Sequence, residues 1–407
     1  MSKRRPDPKT PACDLPGYEQ DLQRVSERAH GRLMEILQEV NAAAALLGEL
    51  LAKVGPERSA MVGTEPVRLH GLALCGLLEA RSREAWFADP VRAVELAELA
   101  VEVSDRLDTQ HYGTAIVEDA RALAWAYLGN AYQVASDLRR AEAALSRAEE
   151  HHRQGDEDEL TRAQILSFQA SLYNAQGRFE EAARLLDKAI AVYRDAKALH
   201  LEGRALIKKA TAFGYAGKFK QAERLVRQGL SRINVLEEPQ LLVAARHNLV
   251  WYLTEGGHHE EAQKALEETR GLYLGLAERI NLVRLRWLEG RIAFGLGRLD
   301  EAETALREAR DAFIERGIGF DAALVSLHLA AVYAKKGDAA EMKRLAAEMV
   351  PIFESRDLHP EALAALTVFR QAAAAEEVTL GLVERMATYL QRARRNPEMR
   401  FESEGRP

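Results

Sequence analysis

Apolar residues recur along this chain at spacings of three and four, the period of amphipathic helices. From about Tyr18 to Val54 the stripe is Leu22, Val25, Leu33, Ile36, Leu37 and Val40, broken by Gly55-Pro56. A second helix is predicted from about Val67 to Trp86. Asp89 then reads as an N-cap, with Pro90 at the first helical position of a helix reaching about Leu107. From Ala122 the helices come in pairs, divided by a turn that returns at a fixed interval. Gly177-Arg178-Phe179-Glu180-Glu181-Ala182 reappears as Gly217-Lys218-Phe219-Lys220-Gln221-Ala222 and as Gly257-His258-His259-Glu260-Glu261-Ala262. It returns as Gly297-Arg298-Leu299-Asp300-Glu301-Ala302 and, more weakly, as Gly337-Asp338-Ala339-Ala340-Glu341-Met342, each glycine 40 residues after the last.

The residue types of the turn say what it does. Glycine suits the left-handed conformation that ends a helix. The residue two later (Phe179, Phe219, His259 or Leu299) is large enough to fill the corner between two helices. Acidic or polar residues next open the second helix, where they favour its positive end. The alanine falls where the helices must approach closely. The unit is therefore a helix, a tight turn and an antiparallel helix, and no β-sheet is expected between residues 120 and 395.

The expected order is a disordered, proline-rich tail (1–16), an N-terminal helical segment (17–66) and a degenerate first helical repeat (67–121). Six repeats follow over 122–360, starting near 122, 163, 203, 243, 283 and 323. A capping helix pair (361–395) and a frayed tail (396–407) complete the chain. Composition narrows the function classes. At 407 residues with a net charge of -6, the protein is not built to coat nucleic acid. Its two cysteines, Cys13 and Cys75, form no CxxC pair, which argues against a disulfide framework or zinc site and for a reducing, cytoplasmic setting. No apolar run is long enough for a membrane helix, and no hydrophobic segment follows the basic N-terminus as a secretory signal would require. The adjacent pairs His151-His152 and His258-His259 face different ways on a helix, so no metal is expected. Nucleophile elbows and phosphate loops are absent from the sequence, so neither a catalytic residue nor a cofactor is assigned.

Trp125, Leu128, Gly129 and Tyr132, followed by Ala141, Leu145 and Ala148, match the signature of the tetratricopeptide repeat. Leu166, Ala170, Tyr173, Ala182, Leu186 and Ala189 fill the same positions in the second repeat, and Leu206, Ala210, Phe213, Ala222, Val226 and Gly229 in the third. The chain thus resembles a tetratricopeptide-repeat protein, an array of bacterial type with a 40-residue period. The resemblance implies an all-α fold, a right-handed α-solenoid of stacked antiparallel helix pairs with helical caps. The usual repeat has 34 residues, and the added six are expected to lengthen the second helix and the following link. Proteins of this family act mainly as interaction modules, scaffolds or regulators that bind a peptide or protein segment on the concave wall.

In the repeat frame, the outward positions of the first helices select Asn130 and Gln133; Gln164, Ser171 and Asn174; Arg204, Lys208 and Thr211; His247, Asn248 and Trp251; and Arg284, Trp287 and Arg291. Arginine and lysine hold carboxylates, and an asparagine amide holds a peptide backbone. Their residue types resemble the carboxylate clamp of co-chaperones, although no consecutive set completes it. An acidic or C-terminal carboxylate segment is therefore the expected partner, unless Glu202, Glu255 and Glu289 already neutralise these cations. Trp125 and Trp86 are read as packing residues. The leading function is a non-catalytic adaptor, scaffold or regulator. The alternative is a peptide-responsive signalling or transcription regulator with this array as sensor. A base-reading RNA binder is disfavoured by the acidic balance, and self-association through an end repeat stays open.

Overall fold

The computed structural model describes residues 34, 37–53, 55–64, 70–86, 88–276, 279–349 and 360–393, and every regular element among them is an α-helix. The expected tails, 1–16 and 396–407, and residues 17–33 lie outside the described residues. Helix α1 covers 37–51 and α2 covers Gly55–Thr64. Pro56 falls in the first turn of α2, where its missing N–H removes no hydrogen bond. Gly55-Pro56 therefore opens a helix as well as closing one. Helix α3 (Leu72–Ala85) and α4 (Pro90–Asp105) form the first hairpin, and Asp89 caps α4 by accepting the Arg92 N–H at 2.9 Å.

After the short α5 (Thr109–Tyr112) the pairs follow in order: α6 (Thr114–Val134) with α7 (Leu138–His152), and α8 (Glu159–Ala175) with α9 (Phe179–Asp195). Next come α10 (Leu199–Tyr215) with α11 (Phe219–Leu230), and α12 (Pro239–Glu255) with α13 (His259–Leu276). The last pairs are α14 (Arg279–Gly295) with α15 (Leu299–Glu315), and α16 (Gly319–Lys336) with α17 (Ala339–Glu348). Helices α18 (Pro360–Ala374) and α19 (Leu380–Ala393) complete the described chain. Each first helix packs on its own second helix, and each second helix on the first helix of the next pair. The result is an α-solenoid of the tetratricopeptide-repeat kind, with the core as a stripe between its two helical walls.

The turn behaves as its residues require. Gly177, Gly217, Gly257, Gly297 and Gly337 have φ of 77°, 74°, 79°, 76° and 71°, all left-handed. One hydrogen bond repeats at each: Arg178 N–H to Tyr173 O (2.8 Å), Lys218 to Phe213 (2.8 Å), His258 to Leu253 (2.9 Å), Arg298 to Ala293 (2.9 Å) and Asp338 to Tyr333 (3.0 Å). These bonds satisfy carbonyls that the helix end would otherwise leave unpaired. In the pair α6–α7 the same bond runs from Asp137 to Tyr132, with Ser136 at φ 65° in the glycine's place. Ala182, Ala222, Ala262 and Ala302 are 0% exposed, and Met342 only 6%. The corner residues also fill their corners. Phe179 lies 6.0 Å from the Tyr215 ring and Phe219 6.2 Å from Trp251. The His259 ring covers Gly295 so closely that a Cβ there would come within 2.3 Å of it.

Two features depart from expectation. The first helices begin at Glu159, Leu199, Pro239, Arg279 and Gly319, four residues ahead of the repeat frame. Most of the added length thus forms an extra turn at the start of each first helix, rather than going only to the second helix and link. The final pair also does not stack as a simple copy. Helix α18 packs on α17, while α19 lies beside α16, where the first helix of another repeat would stand. Val383, Met386 and Leu390 of α19 are buried there. No helix among the described residues is long and apolar enough to cross a membrane.

Because Ala222 sits at a fully covered helix crossing, Ala222→Trp is expected to destabilise the protein by about 1–3 kcal/mol through overpacking. Lys220→Ala, on the surface of the same helix, should leave Tm nearly unchanged. Thermal denaturation of the two variants checks this, and equal values would mean the register is wrong.

Candidate functional site

Helices α12, α14 and α16 line a pocket of about 620 Å³. Helix α12 supplies Gln240, Val243, Ala244, His247, Asn248 and Trp251; α14 supplies Ile280, Asn281, Arg284, Trp287, Leu288 and Arg291. Both sets recur every three or four residues, so each is one face of its helix. Asp321 and Leu324 of α16, Tyr215 at the end of α10 and Gln391 of α19 complete the wall. Six residues expected from the sequence thus meet in one place: His247, Asn248, Trp251, Arg284, Trp287 and Arg291.

Their hydrogen bonds fix the pocket's chemistry. Trp251 Nε1–H donates to Glu255 Oε1 at 2.9 Å, and Trp287 Nε1–H to His328 Nδ1 at 3.1 Å. Arg291 clasps the same Glu255 with both amino groups, one of them 3.2 Å from Oε2. Burial raises the Glu255 pKa, but the Arg291 charge, its hydrogen bond and those of Trp251 and Gln391 bring it below the usual carboxylate range. Burial, assisted by the Arg284 charge, pushes His247 down to about 4. His328 is held well below its ordinary value by burial and then by Arg291. Both imidazoles are therefore neutral at pH 7. Asn248 Nδ2–H donates to Thr211 Oγ1 at 3.3 Å, which steadies its amide at the rim. Arg284 alone of the basic residues in the pocket has no hydrogen bond or ion pair with any described residue.

The remaining candidates are elsewhere. Arg204 is only 4% exposed, with Nε 3.5 Å from Glu238 Oε2. Lys208 Nζ donates to Ser167 O at 3.2 Å and Oγ at 3.1 Å, and burial, then Arg204, pushes it down to about 7. Asn130 (3% exposed) and Asn174 (7%) are buried in the helix stack, and Gln133 lies on α6 outside the pocket lining. The expected cluster of Arg204, Lys208, Asn248, Arg284 and Arg291 is thus divided. Glu255 takes Arg291 as anticipated, whereas Glu202 pairs with Arg194 and Arg232, and Glu289 with Arg270 and Arg286. Gln240, Ile280 and Asn281 were missed because the repeat frame starts a turn late. Glu238-Pro239, with proline in the first helical turn, was the available signal. Gln391 had none, since nothing local says that α19 lies against α16.

The family description "Tetratricopeptide repeat" matches residues 161–234, which span α8 to α11. Among curated proteins none matches. A solved Rap protein complexed with competence and sporulation factor shares the fold with a TM-score of 0.58 and 14% identity, over 78% of this chain and 86% of that one. NprR in complex with its cognate peptide NprX follows at 0.52 and 15%, over 73% and 83%. Aspartyl phosphate phosphatase F from Bacillus subtilis gives 0.50 and 16%, over 70% and 72%. At these identities the likeness is one of fold.

The displaced His247 titration carries a pH dependence of stability. The folded state binds fewer protons than the unfolded between about 4 and the ordinary 6.5, so stability is fully present above 6.5 and falls as pH drops toward 4. Between pH 7 and 4.5 the loss from this group is expected to be about 2 kcal/mol. Urea unfolding of wild type and His247→Phe at both pH values checks it. Parallel pH slopes would show that the imidazole is not desolvated in the wall.

Proposed function

We propose that this chain, a tetratricopeptide-repeat protein, is a non-catalytic interaction protein that seats a short peptide segment of a partner in the pocket between α12, α14 and α16. One observation carries the reading: a pocket with two indoles whose N–H groups are already committed, amides at Asn248 and Asn281, and a guanidinium at Arg284 with no acidic partner among the described residues. Indole faces take an apolar side chain, amides take the peptide backbone, and a guanidinium takes a carboxylate. The likeness in fold to proteins solved with a cognate peptide or with competence and sporulation factor supports the same class of ligand. A regulator in which this pocket is the sensor would use the same contacts. The acidic or C-terminal carboxylate of the partner would be read by Arg284 rather than by a broad basic face.

The test begins with a pull-down from the source cells, comparing wild type with Arg284→Ala, and continues with calorimetry on synthetic peptides from the captured partner. A charge-assisted hydrogen bond contributes about 1.5–3 kcal/mol, so Arg284→Ala is expected to weaken binding roughly tenfold or more. Wild-type binding should also fall as salt rises. Equal affinity in a folded Arg284→Ala variant would place the partner on another surface.

A further inference from the structure

The pocket has two unlike ends. At one, Glu255 accepts from Trp251 Nε1–H and from Arg291, and the Gln391 side chain of α19 hydrogen-bonds to the same carboxylate. At the other stand Asn281 and Arg284 of α14 with Asp321 of α16. Arg284 precedes Arg291 by two turns of one helix, a rise of about 10 Å. Trp287 lies between them and carries the indole wall from one end toward the other. Helix α19 therefore finishes at the Trp251 end, since its last residue, Ala393, is only two beyond Gln391.

Residues 394–407 follow, outside the described residues, and their sequence suits the wall beside which they begin. Pro397, Met399 and Phe401 alternate with Glu398, Arg400 and Glu402. In an extended chain alternate side chains point to opposite sides, so Met399 and Phe401 would face one way and the charges the other. Two such residues stand about 7 Å apart, close to the roughly 8–10 Å between neighbouring helices that carry Trp251 and Trp287. From Ala393 to Phe401 the chain can reach roughly 26 Å, more than enough to cross both. On the reading that this pocket seats a partner's peptide, we propose that residues 396–404 of the chain itself occupy its indole end, with Met399 and Phe401 on Trp251 and Trp287, and must leave before the partner binds. The segment enters at the Gln391 end and turns its charges away from the wall, so Arg284 at the far end stays available to a partner's carboxylate. A partner that supplies both an apolar side chain and a carboxylate displaces the segment, and a merely apolar peptide does not. Tethering supplies the threshold: a segment of about 0.1 mM affinity at a local concentration of about 1 mM weakens a competitor roughly tenfold.

The whole chain with and without Phe401→Ser tests this, through the indole N–H resonances of its four tryptophans in ¹⁵N-labelled protein. Single tryptophan-to-phenylalanine variants assign the signals. Phe401→Ser is expected to move those of Trp251 and Trp287 and to leave those of Trp86 and Trp125 in place. A synthetic peptide of residues 396–404, capped at both ends, should return the two signals of this variant saturably toward their wild-type positions. The same peptide carrying Phe401→Ser should bind roughly tenfold more weakly. Tenfold dilution of wild type should change nothing, because the segment acts within its own chain. Identical spectra of the two proteins, an equal shift at Trp86, equal binding of the two peptides, or wild-type signals that move on dilution (the segment of a second copy) would each overturn the proposal. A peptide from the captured partner should bind Phe401→Ser roughly tenfold more tightly than wild type. If that peptide is lost in Arg284→Ala but indifferent to Phe401→Ser, this proposal fails and the pocket remains the partner's site. If it binds Phe401→Ser more tightly but Arg284→Ala equally well, the segment stands and the reading of Arg284 fails.

Discussion

In four successive pairs, from α8–α9 to α14–α15, the second helix crosses the first at an alanine with no exposed surface, which lets the two backbones close up, and a left-handed glycine five residues earlier lets the chain reach that crossing. The two act together. Without the positive φ, the final carbonyls of the first helix would lose the bond that returns from the turn. Without the small side chain, the crossing would open and the next repeat would stack at a different angle. Ala182, Ala222, Ala262 and Ala302 hold this contact in four successive pairs. A single hairpin cannot bury its apolar face alone, so the whole array depends on the crossing being the same each time.

That regularity divides the first helices into a buried side and a concave side, and the concave side is treated differently along the array. Near α3 it is closed by Trp86, Tyr127 and Phe168, which pack on one another. Near α14 it stays open as a pocket, because α12 and α14 present Trp251 and Trp287 as walls rather than as a plug. Helix α19, placed beside α16, brings Gln391 to the pocket's edge. Charge is parcelled out in the same way. Glu238 and Glu255 take Arg204 and Arg291, and Ser167 takes Lys208, which leaves Arg284 as the group able to select an anion.

Much of this was legible in the sequence. The 40-residue recurrence of glycine and alanine gave the fold and the helix pairing, because both residues answer to local backbone and packing demands that one repeat suffices to define. The outward positions on α12 and α14 were readable for the same reason. What could not be read was long-range. Ion pairing of Arg291 with Glu255 spans 36 residues and depends on how neighbouring helices face each other. Arg204 looked like a groove residue, yet it is buried, because Trp86 arrives from a helix more than a hundred residues earlier. The extra turn at each first helix was foreseeable at Pro239, but elsewhere no proline marks it.

The central claim is that a partner segment lies across α12 and α14 on the concave wall. Hydrogen–deuterium exchange of the full chain, with and without a peptide from its captured partner, tests this most directly. Slowed exchange is expected in the segments carrying Gln240 to Trp251 and Ile280 to Arg291, with α11, α13 and α15 unchanged on the opposite wall. Protection confined to α11, α13 and α15, with α12 and α14 exchanging as in the free protein, would contradict the account.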